Sequence, residues 1–368
     1  MRVMLLVTDH ERGGTPLRLA RLARALRDTG VEVFAGCLAP PGPVSAELAA
    51  GGVPTFACGA AGAHDWAALW RLAQHVQRIR PDLIHATLLH ANIAARLVGL
   101  LHRVPVVTAT ATIEVERRWH AWAERLTGRM DRGHIVNSAA LAGHVVRTFW
   151  LPWRHVHVVP PSLDLPLERP KRAAARAALG IPDHEFVVAW AGRFDPVKRL
   201  DLVVRCAEMM TAVPCRFLLA GDGPYRETLE RILHLSAARQ IVHLLGWCDD
   251  LRPVLSAADA FLFPSLTEGM PNAVLEAMAA GLPVVASHLP ALRELPGGGQ
   301  RLVLVGGDQP RAFADALLQL HSDEALRRAI GAQATAWAHQ NLHPQATVRA
   351  VLRVYAQVLG RSESAKRV

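Results

Sequence analysis

Short apolar runs alternate along this chain with longer stretches in which apolar positions recur every three or four residues. The first pattern reads as buried strand, the second as amphipathic helix, and their alternation predicts parallel α/β architecture. In the first half RVMLLVTD, VEVFAGCL, DLIHAT, VPVVTAT, GHIVNS and HVHVVP read as strands, with helices over Pro16–Thr29, Trp66–Arg80 and Ala91–Leu101. The pattern restarts in the second half with EFVVAWAG, CRFLLAGDG, IVHLLG, AFLFPS, LPVVAS and RLVLVG. Between the halves lies PPSLDLPLERPKR, whose four prolines suit a linker. The chain therefore parses into two Rossmann-like domains, 1–165 and 166–345. A last amphipathic helix, Ala346–Leu359, is expected to pack back on the N-terminal domain, followed by a frayed tail to residue 368.

The length of 368 residues suits two domains, and 51% apolar positions are enough to bury a substantial core. The formal charge of +9 comes almost wholly from arginine, since Lys171, Lys198 and Lys366 are the only lysines. Such a balance permits phosphate-bearing, nucleic-acid or anionic-membrane partners without choosing among them. No recognised nucleic-acid motif and no dense basic run with interleaved aromatics is present, so nucleic acid is not an expected partner. The five cysteines are widely spaced with no C-x-x-C pair, which argues against a disulfide framework and a thiolate zinc site. The apolar run before Asp9 is too short for a signal segment, and no stretch reaches 18 uncharged apolar residues. A soluble, cytoplasmic protein is expected.

The chemistry concentrates in PSLTEGMPNAVLEAMAAGLPVVAS, residues 264–287. Pro271 and Asn272 open a helix that Gly281 and Pro283 close. Its interior is apolar except for Glu276, and a lone carboxylate on a buried helix needs a polar partner. Glu268 lies eight residues earlier on a loop that leaves a strand, at the sheet edge where open α/β folds bind ligands. The backbone N–H groups from Met270 to Val274 would face the same opening as an anion site. Either these glutamates are surface residues, or they accept sugar hydroxyls beside a helix terminus that holds phosphate. The second is the chemistry of a nucleotide-sugar site.

The run PS-x-x-EG-x-PN-x-x-LEAMA-x-G-x-PVV resembles the signature of the retaining GT-B glycosyltransferases of family 4. AGRFDPVKRLD, LLAGDGPYRETLE and LGWCDDLRPVLSAADAFLFPS resemble further segments of that family. In the first half the resemblance rests on a Gly-Gly loop, DLIHATLLHAN and HIVNSAALA. It implies two Rossmann-like domains whose parallel sheets face across a cleft. It also implies sugar transfer from a nucleotide diphosphate, of UDP or GDP type, to a hydroxyl acceptor held by the N-terminal domain. Arg193 and Lys198 would neutralise the diphosphate and Glu276 would bind ribose. Glu268 with Met270, Pro271 and Asn272 would hold the donor sugar and diphosphate. Trp247 and Cys248 fall where the base is expected, and Gly13 and Gly14 would approach a phosphate or the acceptor. In many relatives a histidine follows the fourth N-terminal strand, but Ala111 stands here, with His85, His90 and Glu114 as nearby candidates. Asp164 is kept in a hinge that carries Pro161 and Ser162. The departure at Ala111 leaves open a second reading, a non-catalytic protein that binds nucleotide sugars or glycans. No D-x-D and no H-E-x-x-H occurs, so no metal and no cofactor beyond the donor is expected.

From Glu114 to Met130 a second amphipathic helix carries Val115, Trp119, Trp122, Leu126 and Met130 on one stripe, interleaved with Arg117, Arg118, Arg125 and Arg129. The first half holds six of the nine tryptophans, and 18 basic against 12 acidic residues through Leu165. The stripe either packs on its own sheet or rests on an anionic membrane near a lipid-linked acceptor. An envelope, exopolysaccharide or glycolipid pathway would follow from the family resemblance.

Overall fold

Seven strands in the first half and six in the second form two separate parallel sheets. The computed structural model describes residues 1–62, 65–112, 118–163, 170–295 and 301–360. The first sheet comprises β1 (Arg2–Val7), β2 (Glu32–Cys37), β3 (Thr55–Ala57), β4 (Leu83–Thr87), β5 (Val106–Thr110), β6 (Gly133–Val136) and β7 (Val156–Val158), in the order β3-β2-β1-β4-β5-β6-β7. The second comprises β8 (Phe186–Ala191), β9 (Cys215–Ala220), β10 (Val242–Gly246), β11 (Ala260–Phe263), β12 (Val284–Ser287) and β13 (Val303–Val305), in the order β10-β9-β8-β11-β12-β13. Twelve of these strands lie within the runs predicted from hydropathy. β3 was not predicted because it is a three-residue edge strand, too short to show a period. It pairs with β2, where Gly36 leaves room for the Phe56 ring that a Cβ would strike.

The strands are largely apolar because both sheet faces are covered. Val3, Leu5 and Val7 of β1 point into one core with Leu19 and Ala23 of the helix Gly14–Asp28 and with Val351 and Tyr355 of the helix Pro344–Val358. Met4 and Leu6 point the other way, into a core shared with Leu72 of the helix Trp66–Ile79 and Ala95 of the helix Leu89–His102. The period of two along one strand thus serves two cores.

The chain divides into two units, Met1–Ser162 together with the chain from Leu342 onward, and Leu163–Asn341. These boundaries fall a few residues before 165 and 345. The C-terminal helix therefore belongs to the first unit, and Thr347 Oγ1 donates to the Pro160 carbonyl at 3.0 Å. Asp164 and residues 165–169 of the proline-rich linker lie outside the described residues.

Inside the first unit His85 is buried on β4, with Nδ1 2.7 Å from the Tyr355 hydroxyl. Burial, with a smaller contribution from the charge of His134, lowers its pKa to about 4. A histidine kept neutral by the fold adds stability that is fully present above pH 6.5, its ordinary value, and is lost as pH falls through 4. His85→Gln should therefore narrow the stability gap between wild type and variant by about 3 kcal/mol from pH 7 to pH 4. Urea denaturation across that range measures it; a gap independent of pH would contradict the assignment.

Candidate functional site

β8 and β11 are neighbours in the second sheet, with Ala260 beside Val188. From β8 the sheet grows through β9 and β10 on one side and through β11 to β13 on the other, so the strand order reverses here. At such a switch point two loops leave the carboxyl edge in opposite directions and open a crevice. The first loop runs from Gly192 through a short 3₁₀ turn, Pro196–Lys198, whose first N–H, that of Val197, donates to the Asp195 carboxylate. The second runs from Pro264 to the helix Asn272–Ala279. Leu266 N donates to the Val197 carbonyl at 2.9 Å, tying one loop to the other.

That tie brings two predicted site residues together. Lys198 Nζ donates to Glu268 Oε1, and the ammonium also lies 5.7 Å from the centroid of the Phe263 ring. The two side chains are 20% and 9% exposed, enough desolvation to strengthen their attraction while Lys198 still reaches solvent. Arg193 stands exposed where β8 ends. Met270 and Pro271 are buried and Asn272 is half-buried at the start of the helix. Pro271 is the N-cap, one position earlier than the first-turn place predicted for it. Glu276 is half-buried on the same helix, whose Val274, Leu275, Ala277 and Met278 are buried. Beside them Ser265 Oγ is buried without a hydrogen-bond partner among the described residues. Two cations, a carboxylate and a helix N-terminus thus share one sheet edge, an arrangement suited to a phosphorylated polyol.

Trp247 and Cys248 lie at the end of β10, two strands away. Trp247 Nε1 donates to Asp249 at 2.9 Å, and Asp250 accepts from the Arg252 backbone and side chain. Those bonds from Arg252 hold the Asp250 carboxyl below its ordinary range. The adjacent aspartates therefore divide the work: Asp250 binds the start of the helix Arg252–Ala257, and Asp249 fixes the indole. Cys248 is half-buried, and burial raises its pKa.

In the first unit Gly13 is the N-cap of the helix Gly14–Asp28, with extended φ of −172°. A Cβ there would meet nothing nearer than Pro16 Cδ at 3.8 Å, so the backbone does not itself demand glycine. His85 and Ala111 line a cavity of about 80 Å³ at the ends of β4 to β7, with Arg18, Thr87 and Asn137. His90 lies elsewhere, its ring 6.0 Å from that of Trp119. Glu114 lies outside the described residues.

For the second amphipathic helix one of the two alternatives falls away. Described from Arg118 to Thr127, it keeps Trp119, Trp122 and Leu126 exposed at 48%, 57% and 79%, so the stripe does not pack on its own sheet. Glu124 points inward instead, 2.7 Å from the guanidinium of buried Arg96. Arg96 also grips Asp131 with two 2.7 Å bonds, and Thr108 and His134 complete a buried polar cluster. Sequence reading missed it although the signal was available: Arg96 is a lone charge on the apolar run ANIAARLVGLL, as Glu276 is on its helix. Among the described residues no group of three or more His, Cys, Asp or Glu is placed to hold a metal.

Residues 185–323 match the family described as Glycosyl transferases group 1, and residues 12–166 match Glycosyltransferase Family 4. The D-inositol 3-phosphate glycosyltransferase of Nocardia farcinica is 34% identical over 223 residues, 56% of this chain and 49% of that protein. That of Corynebacterium diphtheriae is 29% identical over 282 residues, 70% of this chain and 66% of that protein. The chain spans about half to two thirds of the length of these curated relatives. Among solved structures, Anabaena HepE in complex with UDP-glucose superposes with a TM-score of 0.87 at 20% identity, covering 97% of this chain and 99% of that one. WaaG, a glycosyltransferase involved in lipopolysaccharide biosynthesis, does so with 0.78 at 15% identity, covering 96% and 99%. These likenesses give the fold.

The loop after β9 lies close against the backbone of the loop after β8. Gly221 has φ of +146°, and a Cβ there would collide with the Gly192 carbonyl oxygen. Gly221→Ala should lower stability by about 2 kcal/mol or more, whereas Gly13→Ser, with room and a capping hydroxyl, should not. Chemical denaturation of both variants checks the contrast.

Proposed function

We propose that this chain, which belongs to the GT-B glycosyltransferases of family 4, moves a sugar from a UDP- or GDP-type donor to a hydroxyl acceptor with retained anomeric configuration. The observation that carries this reading is Lys198 paired with Glu268 at the switch point, beside the N-terminus of the helix Asn272–Ala279. Anabaena HepE is known in complex with UDP and with UDP-glucose, which supports a uridine donor here.

In this reading the diphosphate sits at the helix terminus, where Lys198 contributes a point charge and Arg193 a fork. Glu268 holds Lys198 in place and accepts from donor-sugar hydroxyls, and Glu276 accepts from ribose. Trp247 offers the base an aromatic face. As the bond from the anomeric carbon to phosphate oxygen breaks, negative charge grows on the departing diphosphate. Preorganised cations stabilise that charge more than they stabilise the bound donor, which is the condition for acceleration. The acceptor hydroxyl attacks from the same face, and its proton passes to the departing phosphate oxygen. Charge neutralisation comes from the protein itself, so the reaction is read as metal-independent. The product belongs to an envelope, exopolysaccharide or glycolipid pathway.

Lys198→Ala should lower kcat about 10²- to 10³-fold, the scale set by removing one preorganised transition-state donor, while the chain stays folded. Glu276→Ala should mainly raise the donor KM, and chelator should leave wild-type turnover unchanged. Release of nucleoside diphosphate across an acceptor panel measures all three. Donor binding without any release would favour a non-catalytic binding protein instead.

A peripheral membrane contact is a further part of the proposal, supported by the exposed stripe of Trp119, Trp122 and Leu126. Arg125 lies over the Trp122 and Trp150 rings at 5.1 and 4.4 Å, joining cation to apolar surface in one patch. Aromatic rings at headgroup depth with interleaved arginine suit an anionic bilayer. Among the described residues no helix is long and apolar enough to cross a membrane. Wild-type protein should co-sediment with anionic vesicles in a salt-sensitive way, and Trp119→Ser/Trp122→Ser should not; equal sedimentation of both would refute the patch.

A further inference from the structure

The helix Asn272–Ala279, which carries Glu276, is only eight residues long, about 12 Å from end to end. A helix of little more than two turns has marginal stability of its own and takes its direction from what it packs against. Its last turn is closed by three backbone bonds. Ala280 N donates to the Glu276 carbonyl at 2.9 Å, Gly281 N to that of Met278 at 3.0 Å, and Leu282 N to that of Ala277 at 3.0 Å. Gly281 makes the closure with φ of +76°, the left-handed conformation that glycine adopts at a helix end without steric cost. Glu276 therefore belongs to the closed turn, and whatever fixes that turn fixes the point from which its carboxylate extends.

The helix Glu324–Asn341 holds this turn from outside. Thr335 Oγ1 donates to the Met278 carbonyl at 3.2 Å, a second donor on the oxygen that Gly281 N already uses. One turn earlier Gly331 is buried against Gly281, and a Cβ there would stand 2.1 Å from the Gly281 carbonyl oxygen, where ordinary contact begins at 3.4 Å. Alanine fills six of the eighteen positions in this helix. It is also the better helix former, so a glycine at 331 answers the contact and not the needs of its own helix. The approach of Gly331 to Gly281 involves no side chain that could turn aside, and it sets the distance between the two helices with little slack. Gly331→Ala would push the closed turn, and Glu276 with it, by about 1 Å, a displacement that can cost about 10²-fold when it falls on a positioned group.

We infer that Gly331 and Thr335 are positioning residues for Glu276, acting on the bound nucleotide only through the end of the helix Asn272–Ala279. The inference rests on the reading in which Glu276 accepts from the ribose hydroxyls, and it adds the part of the fold that holds Glu276 to that task. Both residues and the turn they hold lie within the second unit, Leu163–Asn341, so binding of a nucleoside diphosphate reports on them without any transfer.

The test is calorimetric titration of the full chain with UDP and, separately, GDP. Gly331→Ala should raise the Kd of the tighter nucleotide about tenfold, approaching the loss in Glu276→Ala, where hydrogen bonds to a charged acceptor are removed. Thr335→Val keeps the shape and removes the donor, and should raise Kd about threefold. Thr335→Ser keeps the hydroxyl and should bind as wild type does. The decisive measurement is the double variant. In the Glu276→Ala background Gly331→Ala should change Kd less than about twofold, because the group it displaces is gone. An equal loss in both backgrounds would mean general damage to the second unit and overturns the inference, as does wild-type affinity in folded Gly331→Ala. If Gly331→Ala does not fold, Thr335→Val in the two backgrounds decides in the same way. No binding of either nucleotide by the wild type, or full affinity in Glu276→Ala, removes the ribose reading and the inference with it. Weakened Glu276→Ala beside unaltered Gly331→Ala and Thr335→Val sinks the inference alone.

Discussion

The pairing of β8 with β11 is the constraint on which the candidate site of the second unit depends. These strands are far apart in sequence and adjacent in space, so the loops that leave them meet although neither could specify the meeting alone. The Val197–Leu266 backbone bond fixes the meeting, and Lys198 and Glu268 inherit their contact from it. Without that register the same residues would be two solvated charges, worth little as a surface pair. Partly withdrawn from water, they form a held cation whose orientation is settled before any ligand arrives. Nearby glycines serve the same end, since the rim after β9 approaches Gly192 closer than any side chain would allow.

What could be read from sequence follows from how local each signal is. Parallel strands buried on both faces are continuous apolar runs, and β1, β8 and β11 were evident for that reason. β3 was not, because three half-buried residues on an edge have no period to detect. The site in the second unit was legible in residue type, since Glu276 and Lys198 are chemically out of place in their surroundings. Its geometry was not, because the Lys198–Glu268 contact depends on strand order. Pro271 was misplaced by one position for the ordinary reason that helix boundaries blur by a residue.

The helix after β5 shows how a periodic pattern misleads. Apolar spacing gives a stripe but no direction, and the stripe was one of two faces able to turn inward. The inward face here is the one that carries Glu124, because Arg96 is already buried on the neighbouring helix and needs a second carboxylate beside Asp131. Breaking such a cluster by removing one partner costs far more than the intact cluster contributes, about 3–5 kcal/mol on the usual scale for a buried pair. Arg96 thus determines the rotation of its neighbour, and the tryptophans are left outside as a consequence.

The two units then solve opposite electrostatic problems with one architecture. Each builds a crevice at the carboxyl ends of parallel strands, between β8 and β11 in one and around β4 and β5 in the other. In the second unit the loops bring Lys198, Arg193 and a helix N-terminus to that edge, which favours phosphate. In the first, buried Arg96 is matched by two carboxylates, Asp131 and Glu124, so its charge is used inside the protein. On the transferase reading proposed above, a diphosphate would therefore find its counter-charge at the edge of the second unit, because the charge of Arg96 is already matched inside the first.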